Sequence, residues 1–440
     1  MTTDEPESAH RSERRDLLGW ALLVAAGLLF TWLAIRGGAR LGTAGAPFLG
    51  AYRLRLGPGT ALAPAVAAAG LALAARGWFD RLPWRLVPPV GYVALLAWAV
   101  ALALTDGAAG LTRGLTAGDN HLIDVDDVGE DPLGYLRTFA DRADGQAAAT
   151  RGHPPGPVLL LWAMQRLGVT HHLAVGLLVV AVGALTAPLV LSAVRGVCGE
   201  VQARRYLPVL AFAPYAVWLA VGMDAVVAAL GAAMVAAGVR ASDHRMTGLR
   251  AAGWALASGA LLGAAAMFSY AVPWLGLSVV CLYFARRRAA LNVATGVGAL
   301  LPVAGAQLLG FGWVDGLLAA HADFATRIGP HRSAVWWGGI SLVVLALAAG
   351  PPLYASLRKV RNTPGWPFLV GAAAAVLFSI ATGFARGGVE HAWLTFFPWL
   401  TVAAVAPARQ AGSPVPAPLL LVGVGAATAI VIEAVLATAR

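Results

Sequence analysis

The chain has 440 residues, 59% of them hydrophobic and 12% charged, with a mean hydropathy of +0.71 and a formal net charge of +10. This composition excludes an ordinary soluble domain. The basic residues are spread over short connections between apolar runs, which is the pattern of cytoplasmic membrane loops rather than of a nucleic-acid surface.

The apolar runs are rich in Leu, Ala and Val and lack strand-like alternation, so the expected fold is all-α, a polytopic helical membrane protein. Residues 1–16 form an expected cytoplasmic tail bearing Arg11, Arg14 and Arg15. The first apolar run, 17–35, is too long for a cleaved leader and is expected to remain as a span. With a second span at 58–75 it forms an N-terminal addition over 17–85. A third span, 86–105, leads into an external loop, 106–172. Its polar part, 106–155, carries nine of the chain's 22 acidic residues. Loops that long inside a compact protein are functional or disordered.

At its end, 157–167 is an apolar stretch of about 11 residues, too short to cross a bilayer core of about 30 Å. Further spans are expected near 173–194, 206–221, 223–239, 251–267, 270–285, 290–310, 338–354, 366–383, 392–407 and 417–437. The total is about 13, with the N-terminus inside and the C-terminus outside. If 157–167 lies along the outer surface, the later cytoplasmic connections hold 13 basic residues and the later external ones four. Letting it cross reverses that bias. The connection 36–57 runs against the bias, because it holds four arginines and should be external. Cys198 and Cys281 fall near cytoplasmic ends, so no disulfide framework is expected.

On this topology the out-of-place polar residues gather at external helix ends. Asp106 ends the third span, where a carboxylate opposes the helix dipole. Asp124 belongs to the acidic cluster 124–131. His153 precedes two prolines, which hold it extended, and Pro155 suits the entry to the short helix. Asp224 opens a span, where it either caps the helix or serves the chemistry. Arg386, Glu390 and His391 share another outer turn, and Arg386 and Glu390 are also spaced to pair with each other.

Asp106 and the stretch His153-Pro154-Pro155-Gly156-Pro157-Val158-Leu159 resemble the GT-C superfamily of integral-membrane glycosyltransferases. The likeness is to its protein-mannosyltransferase and aminoarabinose-transferase branch. More narrowly, DVDDVGEDPLGYLRTFADR, RGHPPGPVLLLW, VWLAVGMDA, FSYAV and GVEHAWLTFFPWL are similar to a group of actinobacterial GT-C-like membrane proteins. The resemblance covers about 86–437, taken as the GT-C-like module, and departs from the family pattern where Asp106 is followed by Gly107.

It implies transfer of a sugar from a polyprenyl-phosphate donor to a glycan, lipid or protein acceptor of the cell envelope, on the extracytoplasmic face of the plasma membrane. Asp106 is then the expected general base, with Asp124 as the alternative. His153 and Arg386 would hold the lipid phosphate. Asp224 and Glu390 would orient hydroxyls, with His391 beside them as a binding candidate. Tyr270, Trp274, Trp336 and Trp337 are placed either to stack on sugar rings or to anchor at the interface. No cofactor is firmly implied and no spacing demands a metal, so dependence on a divalent metal stays open. The alternative function is transport or flipping of lipid-linked sugars, which favours ionisable groups near the membrane midplane.

Overall fold

The computed structural model describes residues 4–116, 118–220, 222–407 and 415–438. Of the expected connection at 408–416 only the last two residues are described. Among the described residues seven helices are long and apolar enough to span a membrane: Arg11–Arg36, Pro58–Ala75, Trp84–Asp106, His172–Cys198, Asp224–Ala241, Gly248–Ala266 and Leu291–Leu308. Trp313–His331 and Ala334–Ala349 add one more if taken as a single span, bent by 96°. Val272–Ala285, Trp366–Ala381 and Leu419–Val435 are apolar but shorter. The described residues are all-α apart from one pair of three-residue strands.

The expected spans 206–221 and 392–407 are not continuous helices. Residues 206–221 divide into Glu200–Ala211 and Ala216–Leu219, with Pro208 inside the first helix and Pro214 in the break. Residues 392–407 divide into Val389–Ala392, Phe397–Leu400 and Val402–Val405. Proline removes a backbone donor and clashes with the preceding turn. Irregular backbone at membrane depth is tolerated where protein covers it, and both segments lie in the core around Trp218, Trp393 and Trp399.

Side chains from neighbouring segments complete the second break. Lys359 Nζ donates to Ala404 O at 2.9 Å, Asn362 Nδ2 to Pro407 O at 3.1 Å, and Tyr206 OH to Pro398 O. Ser356 Oγ accepts from Ala403 N at 3.2 Å. The chain's one lysine therefore ties down a broken helix.

Asp224–Ala241 is the central helix, with most of its residues buried, whereas Leu291–Leu308 is largely exposed. Gly248–Ala266 packs on Leu291–Leu308 backbone to backbone. A methyl on Gly259 would fall 1.9 Å from Thr295 O, which is the close approach that small residues permit between membrane helices.

The connections separate into two groups at opposite ends of the bundle, as the charge pattern predicts. At one end Arg286 Nη1 bonds Ser242 Oγ at 2.9 Å, Arg288 Nη1 bonds Asp243 O at 2.7 Å, and Arg358 pairs with Asp16. At the other, Ser333 N donates to Arg40 O at 2.8 Å and Arg332 Nη1 to Arg386 O at 2.8 Å. There Gly50–Tyr52 also pairs antiparallel with Leu436–Thr438, Ala51 opposite Ala437.

The polar loop is ordered at this second end as short helices, including Ala108–Thr116, Ile123–Val128 and Pro132–Thr138. Gly156–Arg166, 11 residues long, stays with them. Trp162 Nε1 and Arg166 Nη2 near its far end both donate to Gly129 O, at 2.9 and 2.8 Å.

Candidate functional site

At the end that gathers the polar loop, a cavity of about 200 Å³ opens between that loop, the start of Asp224–Ala241 and the turn at 387–392. Asp224 stands at its centre as the first residue of its helix, where the helix dipole favours a carboxylate. His153 Nε2 lies 3.8 Å from Asp224 Oδ1, and His391 Nδ1 lies 3.9 Å from Asp224 Oδ2. Each imidazole thus faces its own carboxylate oxygen at ion-pair range, longer than a direct hydrogen bond.

Local structure fixes the rings. His153 Nδ1–H donates to Ala149 O at 2.7 Å, which leaves Nε2 as the nitrogen turned to Asp224. His391 sits on the one-turn helix Val389–Ala392, which enters through Gly387 and Gly388 at φ +96° and +73°. That left-handed entry is open to glycine at little cost.

Sequence reasoning passed over His121, which lines the same cavity. Its ring meets His153 edge to face, with centroids 5.2 Å apart. Its Nδ1 is 3.3 Å from Thr150 Oγ1. Thr150 in turn bonds Asp124, whose carboxylate also accepts from Ala147 N at 3.0 and 3.2 Å. With Asp124 ionised, Thr150 donates to it and His121 Nδ1–H donates to Thr150. Burial pushes the Asp124 carboxyl up, and burial together with the neighbouring His153 brings His121 down to about 3. His121 is therefore a neutral ring at physiological pH. The signal for it was present, since His121 and His153 are the only histidines in 106–155.

The other expected site residues stand elsewhere. Asp106 pairs with Arg55, and with Arg113 at 2.5 Å, while Arg55 also reaches Glu433 Oε1 at 3.5 Å and the carbonyls of Glu433 and Leu436. Arg55 and Asp106 side chains are 7% and 10% exposed, and neither lines the cavity. This network accounts for part of the arginine excess in 36–57: Arg55 is a neutralised structural charge. Asp124, 3% exposed, stands behind the cavity wall.

Arg386 donates from Nε to Gly383 O at 2.6 Å and from Nη1 to Gly329 O and Arg332 O at 3.0 Å, with its guanidinium over Phe324. It clamps two outer turns together. Glu390, 1% exposed, is buried next to His391 and outside the cavity lining. Of the aromatic candidates, Trp337 is fully buried and bonds Leu41 O at 3.1 Å, and Trp336 packs on Phe30. Tyr270 packs on Trp313 and Trp274 on Phe378. Among the described residues no group of three His, Cys, Asp or Glu is arranged to hold a metal ion, and both cysteines are free.

Fold and site together define an all-α, polytopic membrane protein with a carboxylate ringed by imidazoles at one end. No family model matches the chain, and no curated protein is similar to it. Two solved structures are similar in part. The crystal structure of ArnT from Cupriavidus metallidurans in the apo state is 18% identical with a TM-score of 0.42, covering 69% of this chain and 58% of that one. The structure of ArnT from the same organism bound to undecaprenyl phosphate is 17% identical with a TM-score of 0.44, covering 71% and 59%. This chain spans less than two thirds of the ArnT length.

Proposed function

We propose that the protein is a membrane glycosyltransferase that moves a sugar from a polyprenyl-phosphate-linked donor to an acceptor of the cell envelope, on the extracytoplasmic face. The observation that carries the reading is the meeting of His121, His153, Asp224 and His391 from three distant chain segments around one cavity. Ionisable groups are costly in a membrane protein, and their convergence favours chemistry over packing.

We place the general base at Asp224 rather than Asp106, because Asp224 faces open space and Asp106 is held by two guanidinium groups. In the reaction an acceptor hydroxyl gives its proton to Asp224 while its oxygen bonds the anomeric carbon. The bond from that carbon to the phosphate oxygen breaks, and polyprenyl phosphate leaves with the electron pair. His153 and His391 flank the carboxylate; His153, whose Nδ1–H is kept by Ala149 O, offers an Nε2–H to the developing charge on the phosphate when its ring is protonated, and His391 offers a ring N–H beside it. Arg386 and Asp124 act at one remove, by holding the turns that carry His391 and His121.

The test is turnover by the full chain in proteoliposomes, with radiolabelled polyprenyl-phosphate pentose and hexose donors and envelope lipid and glycan acceptors. Wild type transfers label and Asp224→Asn does not. Equal transfer by both, or label that crosses the bilayer with its lipid and is never transferred, would overturn the reading; the second result would indicate a flippase.

A further inference from the structure

Gly152, Gly222, Gly387 and Gly388 line the cavity, and for the first two the fold gives no reason to be glycine. Gly387 and Gly388 need their left-handed backbone, and a methyl on Gly387 would meet Leu49 at 3.0 Å. Gly222 differs: its φ is not positive and a methyl there meets no atom within 4 Å. Gly152 has φ −84°, and its nearest would-be neighbours, Ala148 O and Ala149 O, lie at ordinary contact distances of 3.7 and 3.8 Å. Alanine would also lower the conformational entropy of the unfolded chain and so favour the fold at both positions. What glycine keeps there is room, next to Asp224 on one side and His153 on the other.

Among the described residues the lining also holds no lysine or arginine, and the Asp224 carboxylate faces only imidazoles there. A cavity of about 200 Å³ is smaller than the roughly 300–1,000 Å³ of sites for drug-sized ligands. Together these features suit one small, uncharged polyol ring and oppose an acidic one.

Building on the glycosyl-transfer reading, we propose that Gly222 and Gly152 are specificity-determining residues that reserve beside Asp224 a compartment for a single uncharged sugar unit. Their lack of a side chain sets the size limit, and the Asp224 carboxylate, with no lysine or arginine in the described lining to offset a second anion, sets the charge limit.

The test is equilibrium binding to the full chain in nanodiscs, with radiolabelled decyl glycosides as probes: a pentoside, a hexoside, a hexuronide and a dihexoside. The pentoside and hexoside bind saturably, and the hexuronide and dihexoside bind at least about tenfold more weakly. Gly222→Ala weakens the hexoside by about 10- to 200-fold, the range for one methylene in a fitted pocket. Gly222→Leu abolishes hexoside binding. Gly152→Ala weakens the hexoside more than the pentoside.

Thermal midpoints of the alanine variants equal or exceed that of wild type, and Gly222→Ala decides if Gly222→Leu does not fold. The proposal fails if Gly222→Ala binds the hexoside as wild type does. It also fails if the hexuronide or dihexoside binds equally well, or if no glycoside binds wild type. Binding is read without turnover, so a failed transfer assay would sink the reaction assigned above while leaving this measurement to stand by itself.

Discussion

Asp224 and Asp106 are both carboxylates at helix ends on the same side of the bundle, and their surroundings assign them opposite duties. Asp106 sits at the C-terminal end of its helix, where the dipole opposes it, and two arginines hold it in place. Asp224 sits at an N-terminal end, which the dipole supports, and faces two imidazoles across gaps of 3.8 and 3.9 Å. A carboxylate clamped by fixed cations is a weakened base, and this one lies outside the cavity where a substrate would enter. One that is held by backbone geometry and flanked by neutralisable rings opens onto that cavity. Position at a helix end is therefore a poor guide to a catalytic acid, and the identity of the partners is a better one.

The sharpest way to break this contrast is to neutralise each carboxylate in turn. Asp224→Asn should lower kcat/KM for sugar transfer by about 10²–10⁴-fold, the range for loss of a general base, with an unchanged thermal midpoint. Arg55→Ala should do the reverse, because it leaves Asp106 and Glu433 buried with a missing partner. It should cost about 3–5 kcal/mol of stability, read as a lower melting temperature in detergent, with activity per folded molecule close to wild type. An Arg55→Ala enzyme that is stable and inactive would place Asp106 in the chemistry after all.

A finer probe is pH. His121 has a folded pKa of about 3 against an ordinary 6.5, so the unfolded chain takes up its proton first as the solution is acidified. Its contribution to stability is whole above 6.5 and drains away as pH falls from there toward 3. Melting curves of His121→Gln should lose that part of the acid sensitivity, whereas Asp144→Ala should follow wild type at every pH. Asp144 is almost fully exposed and pairs at 2.5 Å with Arg327, which keeps Asp323 as a second partner at 2.8 Å, and such surface pairs contribute about 0–1 kcal/mol.

Much of this was legible in the residues. The apolar runs located the long helices, and the arginine pattern sorted the connections into two groups that the structure gathers at opposite ends. It also kept 157–167 on one side. His153, Asp224 and His391 stood out as polar groups at external turns, and they line one cavity. The partners of Asp106 were hidden because pairing at long range leaves no trace in spacing: Arg55 is 51 positions away, and its bond to Glu433 O spans 378. His121 was obscured by the acidic cluster that follows it. The breaks in 206–221 and 392–407 were missed because hydropathy measures the apolar content of a stretch and not the continuity of its hydrogen bonds.

The broken stretch around Trp393 and Trp399 also constrains how the molecule is made. Its backbone groups are completed by Lys359, Asn362, Ser356 and Tyr206, which belong to parts of the chain synthesised earlier. Alone in hydrocarbon, each unmet amide or carbonyl would cost several kcal/mol. Such a stretch cannot partition laterally into lipid as a solitary helix does. It has to be received by a half-assembled bundle, so in biogenesis this segment docks only after the helices that carry Tyr206 and Ser356 are in place.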